Sequence, residues 1–280
     1  MRANKILPPF LVTLLLNSSI SLAIAKEEKT LIFGIVPQQA ASKTVEMWTP
    51  LLKQLSKKTG YTIHFATAKD IPTFEKKLAA GEYDLAYMNP YHYTVFHEKL
   101  GYKAIAKESD TRLKTIIVTR NDASYQKLHD LSGMTLAFPA PASFAATVLP
   151  LLNFAKLGIE VKPKYVTSHS SVYLAVSQGL FPAGGGVMRT FEAMPDDVKS
   201  QLRIMWTSEG YTPHAIAAHP RLSKGAVNKI SNALLALNND EEGKAALSAI
   251  NFKGVAAAKN KDWDDIRTLN IKNLDHLLQE

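Results

Sequence analysis

Gly60 to Ala86 reads GYTIHFATAKDIPTFEKKLAAGEYDLA, and at an offset of 98 residues Gly158 to Gly184 reads GIEVKPKYVTSHSSVYLAVSQGLFPAG. Both stretches open on a glycine, pass through a strand pattern and a turn, and run an amphipathic helix into a second glycine, Gly81 or Gly179. Upstream, Pro50-Leu51-Leu52 is echoed by Pro150-Leu151-Leu152. One α/β unit used twice predicts two similar lobes, and a cleft between lobes is a favoured place for a small ligand.

Outward from the first copy, Leu31 to Val36 is an apolar run closed by Pro37, as suits a buried strand. A helical pattern follows over 44–58, with Val45, Trp48, Leu51, Leu52 and Leu55 on one face. Tyr61–Ala66 reads as a strand, Thr73–Ala80 as a helix, and Asp84–Met88 as a strand ending at Asn89-Pro90. This βαβαβ order predicts a parallel sheet with helices on its faces. Ligands lie beyond the carboxyl ends of such strands, so Gln38, Asn89 and Tyr91 are candidates for the cleft, while Tyr93 reads as core.

Between the copies, Lys114–Arg120 is a strand that carries the chain from one lobe to the other. After the second copy, Arg203–Trp206 is a strand, and Tyr211–Ala217 is the return crossing. A helix over 222–237 packs on the first lobe, and Trp263–Arg267 forms a short terminal helix. Residues 26–117 plus 216–280 are expected to form lobe 1, and 118–215 lobe 2.

Phe138–Lys156 (FPAPASFAATVLPLLNFAK) turns from a Pro/Ala-rich segment into a long apolar helical pattern, with Ser143 as N-cap. The amides of Phe144, Ala145 and Ala146 would be its first, unpaired donors, able to hold an anion without a cationic side chain. An ordinary capped helix has the same pattern. Gly184-Gly185-Gly186 lacks the Lys-Ser/Thr of a nucleotide loop and reads as a strand passing close to the ligand or to another backbone.

The chain opens with a cationic Met1–Lys5, an interrupted apolar run to Ile24, and the small-x-small Ala23-Ile24-Ala25 before a charged segment. Residues 1–25 are expected to be a secretory signal peptide, with the periplasm as destination. No lipobox cysteine follows, and nothing later is apolar enough to span a bilayer. Zero cysteines exclude disulfides, thiolate catalysis and cysteine metal sites. Without Arg2 and Lys5, 31 basic residues face 25 acidic ones, a net charge of +6 that solubility explains as well as an anionic partner does. No dense Lys/Arg block points to nucleic acid.

FGIVPQ and WTPLLKQLSKKTG, GEYDLAYMNP, PAPASFAA, SHSSVYLAV and WTSEGYTPHAIAAHP, in that order and spacing, resemble the phosphate/phosphite/phosphonate solute-binding proteins of ABC importers. The resemblance spans about Leu31 to Arg267. It implies a type II periplasmic-binding fold, with two α/β lobes joined by two crossing strands and an oxyanion in the cleft between them. It further implies binding roles for Ser143, Phe144 and Ala145, which match a Ser-Thr-Ser in the family, and for His169, which matches a histidine facing the anion. One hydroxyl of that Ser-Thr-Ser survives. A family tyrosine falls on Ile71, and another falls near Arg112, where a charged fork replaces a neutral donor. The acids that hold the ammonium of aminoethylphosphonate fall on Arg189 and His214. Arg189 would repel an amine, so a compact or more anionic oxyanion is expected; a lobe-to-lobe salt bridge is the other use of that residue.

The implied partner is a membrane ABC permease, or else a sensor kinase to which the loaded protein is presented, and a monomer is expected. Neither cofactor nor metal is called for. A periplasmic hydrolase is the remote alternative: Ser143 beside His169 would supply a nucleophile and base. No HExxH or GxSxG motif occurs, and no acid near His169 in sequence would orient it.

Overall fold

The computed structural model describes residues 30–272 and 274; the expected signal peptide lies outside them. Two sheets divide the chain. The first is built from β1 (Thr30–Ile35), β2 (Thr62–Ala66), β3 (Leu85–Met88), β4 (Lys103–Glu108), β10 (Ala215–Ala218) and β11 (Val255–Ala257), in the order β11-β4-β10-β3-β1-β2. The second holds β5 (Thr115–Arg120), β6 (Thr135–Phe138), β7 (Lys162–Tyr165), β8 (Ala183–Val187) and β9 (Leu202–Thr207), in the order β7-β6-β8-β5-β9.

The repeat survives in three dimensions. Helix α2 (Ile71–Ala79), shifted by the 98-residue offset, coincides with α5 (His169–Ser177), and β3 likewise falls on β8. Asp70 and Ser168, the equivalent N-caps, each accept an amide three residues on. In lobe 1, β1 pairs in parallel with β2 and β3; in lobe 2, β6 pairs in parallel with β7 and β8. Each core triplet is then flanked by an antiparallel strand, β10 on β3 and β5 on β8. These two flanking strands are the ones that arrive from the other lobe. Since β5 belongs wholly to the second sheet and β10 wholly to the first, the chain changes lobes over 109–114 and 208–214, earlier than the expected boundaries at 117 and 215. There the two crossings pair through Leu113 and Tyr211, with backbone bonds of 2.8 and 2.9 Å.

Helix α1 (Ala41–Thr59) seats Trp48, Leu51, Leu52 and Leu55 in the lobe 1 core, and its end is closed by left-handed Gly60. Helix α3 (Pro90–Leu100), strands β4 and β11, and helix α9 (Glu241–Ala249) carry no strong pattern in the sequence; β4 interleaves Lys103 and Lys107 with small residues, and β11 has three residues. Among the described residues, no helix is long and apolar enough to cross a membrane.

Two local features bring lobe 2 to the cleft. The expected helix over 143–156 begins instead as a π-helical turn, Phe144–Val148, before α4 (Leu149–Lys156). Pro150 has no N–H for the Ala146 carbonyl and would crowd it, so the first turn widens. The freed Ala146 carbonyl then lies against β8, only 2.0 Å from where a Cβ on Gly185 would stand. Added Cβ atoms at Gly184 and Gly186 would meet Val172 at 2.4 Å and the Tyr173 hydroxyl at 2.1 Å. Three consecutive glycines therefore let β8 lie flush against α5 and the π turn.

Candidate functional site

A compact cavity between the lobes is lined by Val36, Gln38, Ile71 and Asn89 from lobe 1, Ser143, Phe144, Ala145, His169 and Val187 from lobe 2, and His214 from the return crossing. Its volume is about 10 Å³, open to the centre of roughly one water-sized group. Seven of the ten residues singled out from the sequence meet here: Gln38, Asn89, Ser143, Phe144, Ala145, His169 and His214. Ile71 and His169 are the equivalent first residues of α2 and α5, so the two halves of the repeat face each other with an apolar group on one side and a polar group on the other.

The helix start expected to hold an anion keeps its leading backbone donors. The first helical bonds run from the Thr147 and Val148 amides to the Ser143 carbonyl, at 2.8 and 3.2 Å, which leaves the Phe144, Ala145 and Ala146 amides ahead of them. The hydroxyl of Thr115 donates to the Ala145 carbonyl at 2.6 Å, and the trans peptide turns the Ala146 N–H the opposite way. Ser143 holds the N-cap position, but its side chain makes no cap bond. Its Oγ lies instead 3.2 Å from His169 Nε2. The Phe144 ring is fully buried and meets Tyr211 edge-on, so that residue offers its backbone rather than its side chain.

His169 opens α5. Its amide donates to the Gln38 carbonyl across the cleft at 3.1 Å, and its ring spans Ser143 and, through Nδ1, the Thr190 Oγ1 at 3.1 Å. Thr190 in turn contacts the Tyr173 hydroxyl at 2.9 Å. Burial pushes the His169 imidazole down to about 3, so it is neutral. Its Nδ1 neighbour is a threonine where a hydrolase would place a carboxylate. Thr190 was missed in the sequence because it lies 21 residues from His169, with no spacing to connect them.

Asn89 caps α3 by accepting the His92 amide at 2.8 Å, and its Nδ2 donates to the Ala142 carbonyl of the opposite lobe at 3.1 Å. Behind it, buried His92 and Glu75 approach to 2.9 Å.

His214 is 4% exposed, its ring stacks on Tyr87 with centroids 4.9 Å apart, and neither ring nitrogen has a partner among the described residues. Burial first, then the positive charge of Arg189, holds its pKa well below the ordinary value.

The other three candidates lie elsewhere. Arg112 packs on Gly210 in the hinge, donating to the Gly210 carbonyl and to Thr212 and pairing with Asp265 at 2.9 Å. The Tyr91 hydroxyl accepts the Leu274 amide at 3.0 Å; two residues past the Asn89 cap, it lies on a different side of α3 and is not among the cavity-lining residues. Arg189 spans the lobes, pairing with Glu108, donating to the Tyr87 hydroxyl at 2.7 Å, and lying 4.9 Å above the Phe252 ring. Burial pushes the Tyr87 phenol up to about 12, so it is a neutral partner for that guanidinium. Arg112 and Arg189 both line a wider, hinge-side cavity of about 340 Å³ that shares Gln38, Val187 and His214 with the compact one.

Residues 33–263 match the family model described as the periplasmic substrate-binding protein of phosphonate ABC transporters. The chain belongs to this family. Its members are substrate-binding transport proteins of the periplasm, and the two-lobed fold and solute-binding role follow from that membership. Among its relatives is the phosphate-import protein PhnD of Mycolicibacterium smegmatis, 24% identical over 85% of this chain and 84% of the relative. The fold is shared with the binding component of a phosphonate ABC transporter from Pseudomonas aeruginosa, with a TM-score of 0.80 at 18% identity over 87% of this chain and 86% of the other. It is shared also with PhnD1 of Prochlorococcus marinus in complex with methylphosphonate, with a TM-score of 0.78 at 18% identity over 87% and 99% of the respective chains.

Proposed function

We propose that this protein, exported by cleavage near Ala25, captures a compact tetrahedral oxyanion between its lobes and delivers it to a membrane ABC permease. Phosphate, phosphite or a small phosphonate without an amine is the ligand class. The observation that carries the reading is the interlobe cavity, which combines the leading amides of the Phe144–Ala146 turn with the two unpartnered nitrogens of His214. Donors set around a small, buried space suit an anion of few atoms. None of the described residues lining it is a carboxylate that would hold an ammonium, so a ligand without an amine suits it better. His169 and Ser143 support the cradle as a neutral hydrogen-bonded pair, and Gln38 and Asn89 close it from lobe 1.

A thermal-shift and calorimetric screen of phosphate, phosphite, methylphosphonate, sulfate, 2-aminoethylphosphonate and small carboxylates tests this. A ligand at a hundredfold its dissociation constant stabilises by about 2.7 kcal/mol, a shift of several degrees. Tight binding of 2-aminoethylphosphonate with none of the simpler oxyanions would refute the ligand class.

A further inference from the structure

The unpartnered nitrogens of His214 restrict the ligand further, given the oxyanion reading above. The ring is fixed by its stack on Tyr87 and lines both the compact and the hinge-side cavity. The charged and titratable groups that act on it are Arg189, His169 and His92, and with burial they keep it uncharged. In either tautomer a neutral imidazole presents one N–H donor and one bare lone pair. A fully deprotonated oxyanion offers acceptors only, so it satisfies the donor and strands the other nitrogen in a buried site, at a cost comparable to a lost hydrogen bond. The other polar side chains of lobe 1 do not relieve this: Asn89 spends its Nδ2 on Ala142, and Gln38 can rotate its amide to present either end. His214, held flat on Tyr87, has no such freedom.

We propose that the site is built for an oxyanion carrying its own O–H group, such as hydrogen phosphate or the monoanion of phosphite or a phosphonate, and that His214 selects it by accepting that proton in a hydrogen bond. Sulfate, with the same shape and the same double charge as hydrogen phosphate, is rejected for want of one hydrogen. Sites that bury an unmatched polar group against the wrong ligand discriminate strongly for this reason.

The experiment is calorimetric titration of the mature protein with sulfate and with phosphate near pH 8, where phosphate is mostly hydrogen phosphate. Phosphate is expected to bind at least about tenfold tighter. His214→Leu, which removes the acceptor, is expected to reduce that preference below about threefold, and His214→Asn, whose amide can turn its donor end toward the ligand, is expected to weaken it as well. A second measurement needs no variant: methylphosphonate titrated above its second ionisation, in buffers of different ionisation enthalpy, is expected to take up about one proton on binding. Equal affinity for sulfate and phosphate, an undiminished preference in His214→Leu, or tight methylphosphonate binding without proton uptake each overturns the inference while leaving the oxyanion reading in place. Failure of every oxyanion to bind overturns both.

Discussion

Removing the Arg189 guanidinium tests whether the lobes are held together by the chain itself as well as by the ligand. Glu108 sits at the end of β4 with its side chain only 3% exposed, and Arg189, reaching over from the second lobe, is 23% exposed. Beyond Arg189, the Glu108 carboxylate has one long contact among the described residues, 3.4 Å from the Lys253 amide. In Arg189→Met the closed arrangement would bury that carboxylate almost unpaired, while also losing the bond to Tyr87 and the cation–π contact with Phe252. Breaking a fully buried pair by removing one partner costs about 3–5 kcal/mol, and the partial exposure of Arg189 lowers this to about 2–3 kcal/mol.

Because Glu108 and Arg189 belong to different lobes, opening the cleft returns the carboxylate to water. The penalty therefore falls on closure and not on the folding of either lobe. Apparent ligand affinity scales with the fraction of protein able to close, so it should fall by about 30- to 150-fold, while the midpoint of unfolding without ligand changes little. Small-angle scattering reads the closure and calorimetry reads the affinity. Adding Glu108→Gln to Arg189→Met removes the stranded charge and should recover part of the loss, a coupling that a double-mutant cycle measures directly. Unchanged affinity and unchanged radius of gyration in Arg189→Met, or a loss that Glu108→Gln only deepens, would refute the reasoning.

Three further substitutions and conditions follow from the same geometry. Asn89→Ala removes the α3 cap and the bond to Ala142; chemical denaturation should show about 1–2 kcal/mol lost, and ligand affinity should fall as well. Gly185→Ala drives a Cβ into the Ala146 carbonyl and should displace the π turn, costing about 3 kcal/mol or more and abolishing binding where an exposed control such as Gly225→Ala does not. Acidification should destabilise the fold through His169: its folded pKa lies near 3 and its unfolded value near 6.5, so the stability it contributes is complete above pH 6.5 and is lost as pH falls from there toward 3. That amounts to about 1.4 kcal/mol per pH unit, with His214 adding in the same direction, and His169→Gln should flatten the slope of urea unfolding measured at pH 7 and pH 5.

The fold was legible where periodicity and punctuation agreed. Gly60, Gly81, Gly158 and Gly179 all adopt the left-handed conformation that suits glycine, so the 98-residue offset reflected real geometry. Placement at the cavity was legible where a strand end or helix start sets a residue's position, as for Gln38, Asn89, Ser143 and His169. It was not legible where a side chain acts across the lobes. Nothing in the local pattern of Arg189 announces Glu108, 81 residues away, and nothing near Arg112 announces that Gly210 and Asp265 occupy it. The π turn was hidden as well, since an apolar helical pattern is insensitive to one wide turn and only Pro150 marked it.

The placement of the two arginines gives the cleft a division of labour. Positive charge is kept out of the compact cavity: Arg112 is spent on the hinge and Arg189 on its pair with Glu108, while the cavity itself is lined by backbone amides, the Gln38 and Asn89 side chains, one serine hydroxyl and two neutral imidazoles. A buried cation in direct contact would attract any anion of similar size through a force that does not depend on where its hydrogens lie. Neutral donors and acceptors with fixed directions gain less energy per contact, and they distinguish ligands that differ by a single hydrogen. Charge then acts at one remove, through the Arg189–Glu108 pair, to stabilise the closed arrangement in which those directional contacts are made. On the proposed reading, strength of closure and choice of ligand fall to different residues, and substitutions at Arg189 and at His214 should change them separately.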